Sequence, residues 1–175
     1  MAVTVTPTVG ASDANAYASV VEGDAFFEGR SGVTAWTGAS ADEKGRALIL
    51  ATERIDQEEF VGSPVSPLSG TSSGTTQALK WPRYSAQDDE GWTYESDVIP
   101  ERVKKATLEL ALEVLGGGVS LTDSGLEGFE DVKVGPLSVT PRHERKAGTL
   151  PAQVLRYLRP LLTTPSSLTF PISRS

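Results

Sequence analysis

The chain has 175 residues, of which 38% are hydrophobic, with 17 glycines and 11 prolines, which suits one domain with a modest core and long irregular connections. It has no cysteine and a single histidine, which excludes disulfides, thiolate metal sites and a disulfide-stapled secreted scaffold. The net charge of −7 is uneven: residues 1–99 hold 15 acids and 6 bases, whereas residues 100–175 hold 8 acids and 10 bases, so affinity for phosphate would need a local patch.

In chain order, residues 1–18 read as an extended arm. Val3 to Gly10 alternates small β-branched residues with threonine around Pro7 and has too little apolar bulk to fold alone. The start lacks a basic and then apolar leader, and no apolar run approaches the roughly 18 residues of a membrane span, so a soluble intracellular protein is expected. Ser19-Val20-Val21-Glu22 is a capping box that opens a first helix to about Gly29, with Ala25, Phe26 and Phe27 as its buried content. Ser40-Ala41-Asp42-Glu43 opens a longer helix to about Glu59, with Ala47, Leu48, Ala51 and Ile55 on one face.

Residues 62–76 form a long polar loop without periodicity, the kind that is functional or disordered. After it come Gln77-Ala78-Leu79-Lys80-Trp81-Pro82-Arg83 and an acidic turn, Asp88-Asp89-Glu90-Gly91-Trp92.

The chain is organised around the stretch from Ile99 to Leu115. Pro100 fits the first helical position, and Gly116-Gly117-Gly118 supplies a left-handed stop. Val103, Ala106, Thr107, Leu110 and Val114 share a face that Leu108, Ala111, Leu112 and Leu115 widen, leaving a polar strip of Arg102, Lys105, Glu109 and Glu113. A helix so apolar must be covered by several neighbours.

Beyond it, alternation around Gly135-Pro136 predicts a β-hairpin at about 130–140. A fourth helix starts at Pro151, with Val154, Leu155, Leu158, Leu161 and Leu162 on one side, and Pro160 predicts that it bends or thins at Arg159. Residues 163–175 read as an extended tail. The expected fold is mainly α: a four-helix bundle-like core over residues 19–162, one small β-hairpin, and extended N- and C-terminal arms.

The series Asn15-Ala16-Tyr17-Ala18-Ser19, Asp24-Ala25-Phe26-Phe27, Trp36, Ala47-Leu48-Ile49-Leu50-Ala51-Thr52, Gln77-Ala78-Leu79-Lys80-Trp81-Pro82-Arg83 and Ile99-Pro100 resembles the tailed-phage head-tail adaptor (head completion) proteins. That group is often labelled DnaT-like single-stranded-DNA-binding. The likeness spans roughly residues 9–115, and its most specific piece is Gln-Ala-Leu-x-Trp-Pro-Arg followed by Ile-Pro and a helix. The resemblance implies a helical protein that forms a ring, usually of twelve copies, between the portal and the stopper or tail side of a virion neck, assembled in the bacterial host cytoplasm. It further implies a C-terminal segment docking on the portal, double-stranded DNA passing through without sequence-specific binding, and no enzymatic chemistry or cofactor. Loop 62–76 is longer than that pattern.

Several residues admit two readings. Trp81, Pro82 and Arg83 either face a partner or belong to the interior, Trp81 plugging the bundle and Arg83 pairing with an acid; the interior reading is favoured for Trp81. With Pro100, Val103, Leu110 and Val114 they make up the expected motif and core set. A single-stranded-DNA module would stack bases on Trp81, Tyr84, Trp92 and Tyr94 and hold phosphates with Lys80 and Arg83, against the repulsion of Asp88, Asp89, Glu90, Glu95 and Asp97. His143 lacks the companions of a triad or zinc site, and paired acids such as Glu58-Glu59 read as solvated charge or, in a ring, as channel lining. Arg142, Arg145 and Lys146 form the densest basic cluster, suited to an acidic portal face or to DNA in a channel. In the tail, Leu168, Phe170 and Ile172 fall on one side of an extended strand with Arg174 beyond, which reads as a portal-binding arm that gains from being presented in many copies, in preference to a disordered terminus.

Overall fold

A computed structural model describes residues 3–68, 76–117 and 150–163. These fold mainly as helices: α1 Val20–Phe27, α2 Thr34–Thr37, α3 Ala41–Ile55, α4 Glu101–Leu115 and α5 Ala152–Leu158, the last continued by a 3₁₀ turn over Arg159–Leu161. The thinning at Arg159 follows from Pro160, which has no N–H for an α-type bond. Strands β1 Ser63–Pro64 and β2 Arg83–Tyr84 pair antiparallel, Ser63 opposite Tyr84. The hairpin expected at about 130–140 and the tail after Thr163 lie outside the described residues, as does the middle of loop 62–76.

Both capping boxes form. Ser19 Oγ accepts from Glu22 N at 3.2 Å while Ser19 N donates to Glu22 Oε2 at 2.7 Å, and Ser40 and Glu43 repeat the exchange at 3.3 and 2.8 Å. Each box satisfies two amides that the first turn leaves without intrahelical partners. The two prolines sit one position earlier than expected. Pro100 and Pro151 are N-caps with extended ψ of 140° and 144°, and their carbonyls accept the opening bonds from Lys104 N and Leu155 N.

α4 is the central helix. It packs along α3 on one side and α5 on another, with α1 and α2 also touching it. Val103, Ala106, Thr107, Leu108, Leu110 and Ala111 are buried, and Thr107 Oγ1 donates to Val103 O at 2.9 Å, so its hydroxyl is satisfied inside. Val114, placed with the core by its periodicity, is only half-buried. Glu109, assigned to the polar strip, is 4% exposed and receives Arg30 Nη1 at 2.9 Å. The wheel correctly orders the α4 face but cannot see the loop after α1, which covers Glu109 and leaves Arg102 exposed and Lys105 and Glu113 half-buried.

α1 departs from expectation in the same way. Ala25 is exposed and Phe26 half-buried, whereas Gly23 is buried because the ring of Trp36 lies over it; an added Cβ would come within 2.4 Å of Trp36 Cζ2. Trp36 Nε1 in turn donates to Asp24 Oδ1 at 2.9 Å. α3 buries Ala47, Leu48, Ala51 and Ile55 as its periodicity predicts, but stops at Ile55, short of Glu59. The N-terminal arm stays close to this layer. Val3 N donates to Asp42 Oδ1 at 3.2 Å, Val3 and Val5 lie over Gly45, and Asn15 clasps Thr6 N and Thr4 O at 2.7 and 2.9 Å.

Candidate functional site

The segment from Gln77 to Tyr94 concentrates the aromatic and basic residues that a partner or a nucleic acid would use. Its first half is built inward. Gln77 is buried: its Nε2 donates to Leu79 O and Pro82 O at 2.7 and 3.2 Å, and its Oε1 accepts from Ser66 N at 2.8 Å. The Trp81–Pro82 peptide is cis. The Trp81 ring is 1% exposed, edge-on to Phe60 at 5.7 Å and to Tyr94 at 6.3 Å, and among the described residues nothing accepts from its Nε1.

Arg83 does not pair with an acid. Its Nε donates to Val61 O at 2.8 Å, Nη1 to Lys80 O at 3.2 Å, and Nη2 to Phe60 O and Gly62 O at 3.2 and 2.7 Å. The planar guanidinium suits this role because its five fixed N–H groups can satisfy several carbonyls where the backbone has no regular partner. Gly62 makes the turn possible, since at φ +75° a Cβ would fall 2.3 Å from Tyr84 O. Burial draws the Arg83 pKa below its ordinary value, opposed by Tyr17 and Asp56. Asp56 closes the arrangement by accepting from the Tyr17 hydroxyl and, at 2.9 Å, from Lys80 N. Burial first, and then Asp56, push the Tyr17 phenol well above its usual range.

Lys80 is likewise committed, its Nζ donating to Glu58 O at 2.9 Å. A cleft of about 310 Å³ opens beside these groups, lined by Glu59, Phe60, Pro64, Leu68, Lys80, Arg83 and Thr163. The carboxylate of Glu59 on its rim and the internal use of both cations make it a poor phosphate cradle.

The second half points outward. Asp88 Oδ1 accepts from Glu90 N and Trp92 N at 3.1 and 2.9 Å, Asp88 N donates to Trp92 O at 3.0 Å, and Gly91 N donates to Asp88 O at 3.1 Å. Gln87 and Thr93 form a bridge with a side-chain bond of 3.1 Å, and Tyr94 N donates to the carbonyl of buried Ala86 at 2.9 Å. The result is a stitched hairpin tip, anchored through Tyr94 to the Trp81 core, that holds Trp92 74% exposed. Tyr84, at 50%, is the other exposed aromatic of this segment. The side-chain bonds of Asp88 are a turn-forming role that the Asp-x-x-Gly spacing signals and the sequence reading did not use.

In sequence this half is strongly acidic, although in space Arg102 reaches the Tyr94 hydroxyl beside Asp88 and Asp89. Between Arg83 and Arg102 the chain carries Asp88, Asp89, Glu90, Glu95, Asp97 and Glu101 and no base. Of the stacking set proposed from sequence, Trp81 is interior and Tyr94 half-buried, so only Tyr84 and Trp92 remain accessible, the latter on the acidic turn of Asp88. Among the described residues no three His, Cys, Asp or Glu side chains converge as metal ligands, and no helix is long and apolar enough to cross a membrane. The basic cluster Arg142, Arg145 and Lys146, together with His143, and the tail residues Leu168, Phe170, Ile172 and Arg174, lie outside the described residues.

A family model described as "Putative DnaT-like ssDNA binding protein" matches residues 1–175. The chain belongs to this DnaT-like family. No curated protein and no solved structure matches it. Membership covers the DnaT-like label carried by the resemblance, while the family description names no role in a phage neck. The described part carries more acids than bases, and its Trp-Pro-Arg motif is used within its own fold.

Proposed function

We propose that this DnaT-like chain is a structural, non-catalytic head-tail adaptor of a phage or phage-like particle, acting in a ring between the portal and the stopper or tail side. The observation that carries the proposal is the internal use of Trp81 and Arg83. The residue best suited to stack a base is packed in the core and the one best suited to grip its phosphate holds loop backbone together, and the aromatics left outside belong to a stretch of sequence with six carboxylates. A surface of that sign suits a wall past which DNA moves without adhering, and an exposed tryptophan suits a protein contact. The series from Asn15 through Ile99-Pro100 supports the neck assignment by resemblance.

The second reading, a single-stranded-DNA-binding module, has the more direct support from the family description. It would use Tyr84 and Trp92 as stacking platforms, each worth about 1–3 kcal/mol per base. Mass photometry of the full chain, alone and with portal, beside an oligonucleotide titration at two salt concentrations separates the two. Defined multimers on portal without oligonucleotide binding support the adaptor. A chain indifferent to portal that binds oligonucleotide more weakly at high salt replaces it with the second reading.

A further inference from the structure

We infer that the hairpin spanning residues 87–93 docks, through Trp92, on the α5 segment of a second copy of this chain. The two surfaces are complementary. The hairpin presents Trp92 beside Asp88, Asp89 and Glu90, with one base, Arg102, reaching Tyr94 at its foot, whereas residues 150–163 hold Arg156 and Arg159 and no acid. Both arginines are exposed, and with exposed Ala152 they follow a spacing of four and then three residues along one face, beside half-buried Leu155 and Tyr157. Among the described residues no ion pair engages Asp89, Glu90, Arg156 or Arg159, while the Asp88 carboxylate is used in the turn and Arg156 lies over the Tyr157 ring, so Asp89 and Glu90 are the acids offered to an interface. An indole flanked by carboxylates can stack on one guanidinium while its neighbours pair with the other. The hairpin is stitched by the Asp88 carboxylate and anchored on the core, so little ordering entropy is lost when it docks. Nucleic acid fits the same knob poorly, because its phosphates would meet three carboxylates.

This inference deepens the ring reading above and rests on it. The test is sedimentation velocity on the full chain up to its solubility limit, paired with acrylamide quenching of tryptophan emission. Trp36 and Trp81 are buried, so the quenchable emission reports Trp92. Wild-type chain is expected to associate and to protect Trp92 as it does so. Trp92→Ala should weaken association about 30-fold, the scale of a hot-spot aromatic. Asp89→Arg/Glu90→Arg and Arg156→Glu/Arg159→Glu should each abolish it, and mixing those two variants should restore it. Circular dichroism of each variant establishes that it is folded, and Asp88 is left intact because it builds the turn. Charge variants that associate like wild type, or a mixture that fails to recover, would overturn the contact and leave the ring reading standing. A wild-type chain that stays monomeric throughout would overturn the contact, while the ring reading is decided separately by the portal experiment above, and protection of Trp92 by oligonucleotide instead of by self-association would overturn the choice of occupant.

Discussion

Arg30 and Glu109 are 79 residues apart in sequence, yet the Arg30 guanidinium donates to Glu109 Oε1 at 2.9 Å and closes the loop after α1 over the middle of the central helix. The carboxylate is buried while the arginine remains 36% exposed, its guanidinium lying 4.8 Å from the Phe26 ring centre and 5.4 Å from that of Phe27. Arg30→Ala should therefore cost about 2–3 kcal/mol, below the 3–5 of a fully buried pair, because it strands a carboxylate against α4. Glu109→Leu should cost less, since it removes the buried charge together with its need for a partner. Urea denaturation of both variants measures the order, and an equal or reversed cost would show that Glu109 finds solvent without Arg30.

Arg83 is expected to be the least replaceable cation in the described chain. Substitution by lysine keeps the charge but loses the planar fork, so carbonyls among Phe60, Val61, Lys80 and Gly62 lose their donor. A loss of about 3 kcal/mol or more is expected for Arg83→Lys and a similar loss for Arg83→Met, at roughly 1–3 kcal/mol for each buried acceptor left unpaired. Thermal unfolding of the two variants checks this, and rescue by lysine would show that charge, not geometry, is what the site requires.

Gly23→Ala places a methyl group where Trp36 already sits. With ring atoms at 2.4 and 2.7 Å from that position, α1 or the indole must move, and the Trp36 Nε1 bond to Asp24 moves with it. The expected cost is about 1–3 kcal/mol, even though alanine is the better helix former. A gain in thermal stability would mean that the α1–α2 contact is looser than described.

Stability should fall in acid. Lys44 holds the Asp24 carboxyl below its ordinary value, against a smaller opposing effect of burial, and Trp36 assists. At Glu22 burial pushes upward, but Lys104 and Ser19 together outweigh it and the net shift is downward. A carboxylate depressed in the folded state stabilises at pH above its unfolded value, about 3.9 for Asp and 4.3 for Glu, and that contribution is lost as pH falls through the folded value. The urea midpoint should hold steady from neutral pH to about 5 and decline below it. Lys44→Met and Lys104→Met should lower the neutral midpoint and flatten the decline, whereas an unchanged acid slope would assign the lability to other groups.

Much of the helical frame was legible because its signals are local. Two Ser-x-x-Glu boxes, the apolar stripe of α3 and the glycine stop after Leu115 each act within a few residues of the feature they specify. Burial of Trp81 was legible from its size and setting. The rest depends on partners distant in sequence. Periodicity places Glu109 on a polar strip, and only the return of Arg30 from the α1 loop makes that one position of the strip interior. Arg83 reads as a candidate for a carboxylate because carboxylates are its commonest charged partners, whereas the turn at Gly62 supplies carbonyls 21 to 23 residues back. Strands of two residues, as in β1 and β2, are too short for alternation to register. The hairpin tip was recognised as an acidic turn, but its outward tryptophan was not distinguished from the buried one by composition alone.

The edge formed by Glu59, Phe60 and Val61 is completed from very far along the chain. Val61 N donates to Leu161 O at 2.9 Å, Phe60 bridges Leu162, and Thr163 N donates to Glu59 O at 2.9 Å. During synthesis, everything from the N-terminal arm to α4 leaves the ribosome with that edge still open and with Phe60 covered by Trp81 but not yet bridged to Leu162. Helices α1 and α3 and the Arg83 loop, whose partners all precede α4, can form early, but the edge at residues 59–61 cannot be paired until α5 and its 3₁₀ turn have emerged, about one hundred residues later. A nascent chain stalled before α5 would therefore present an unpaired backbone edge beside an aromatic cluster, which makes the interval before release the period in which this protein is most open to mispairing with its neighbours.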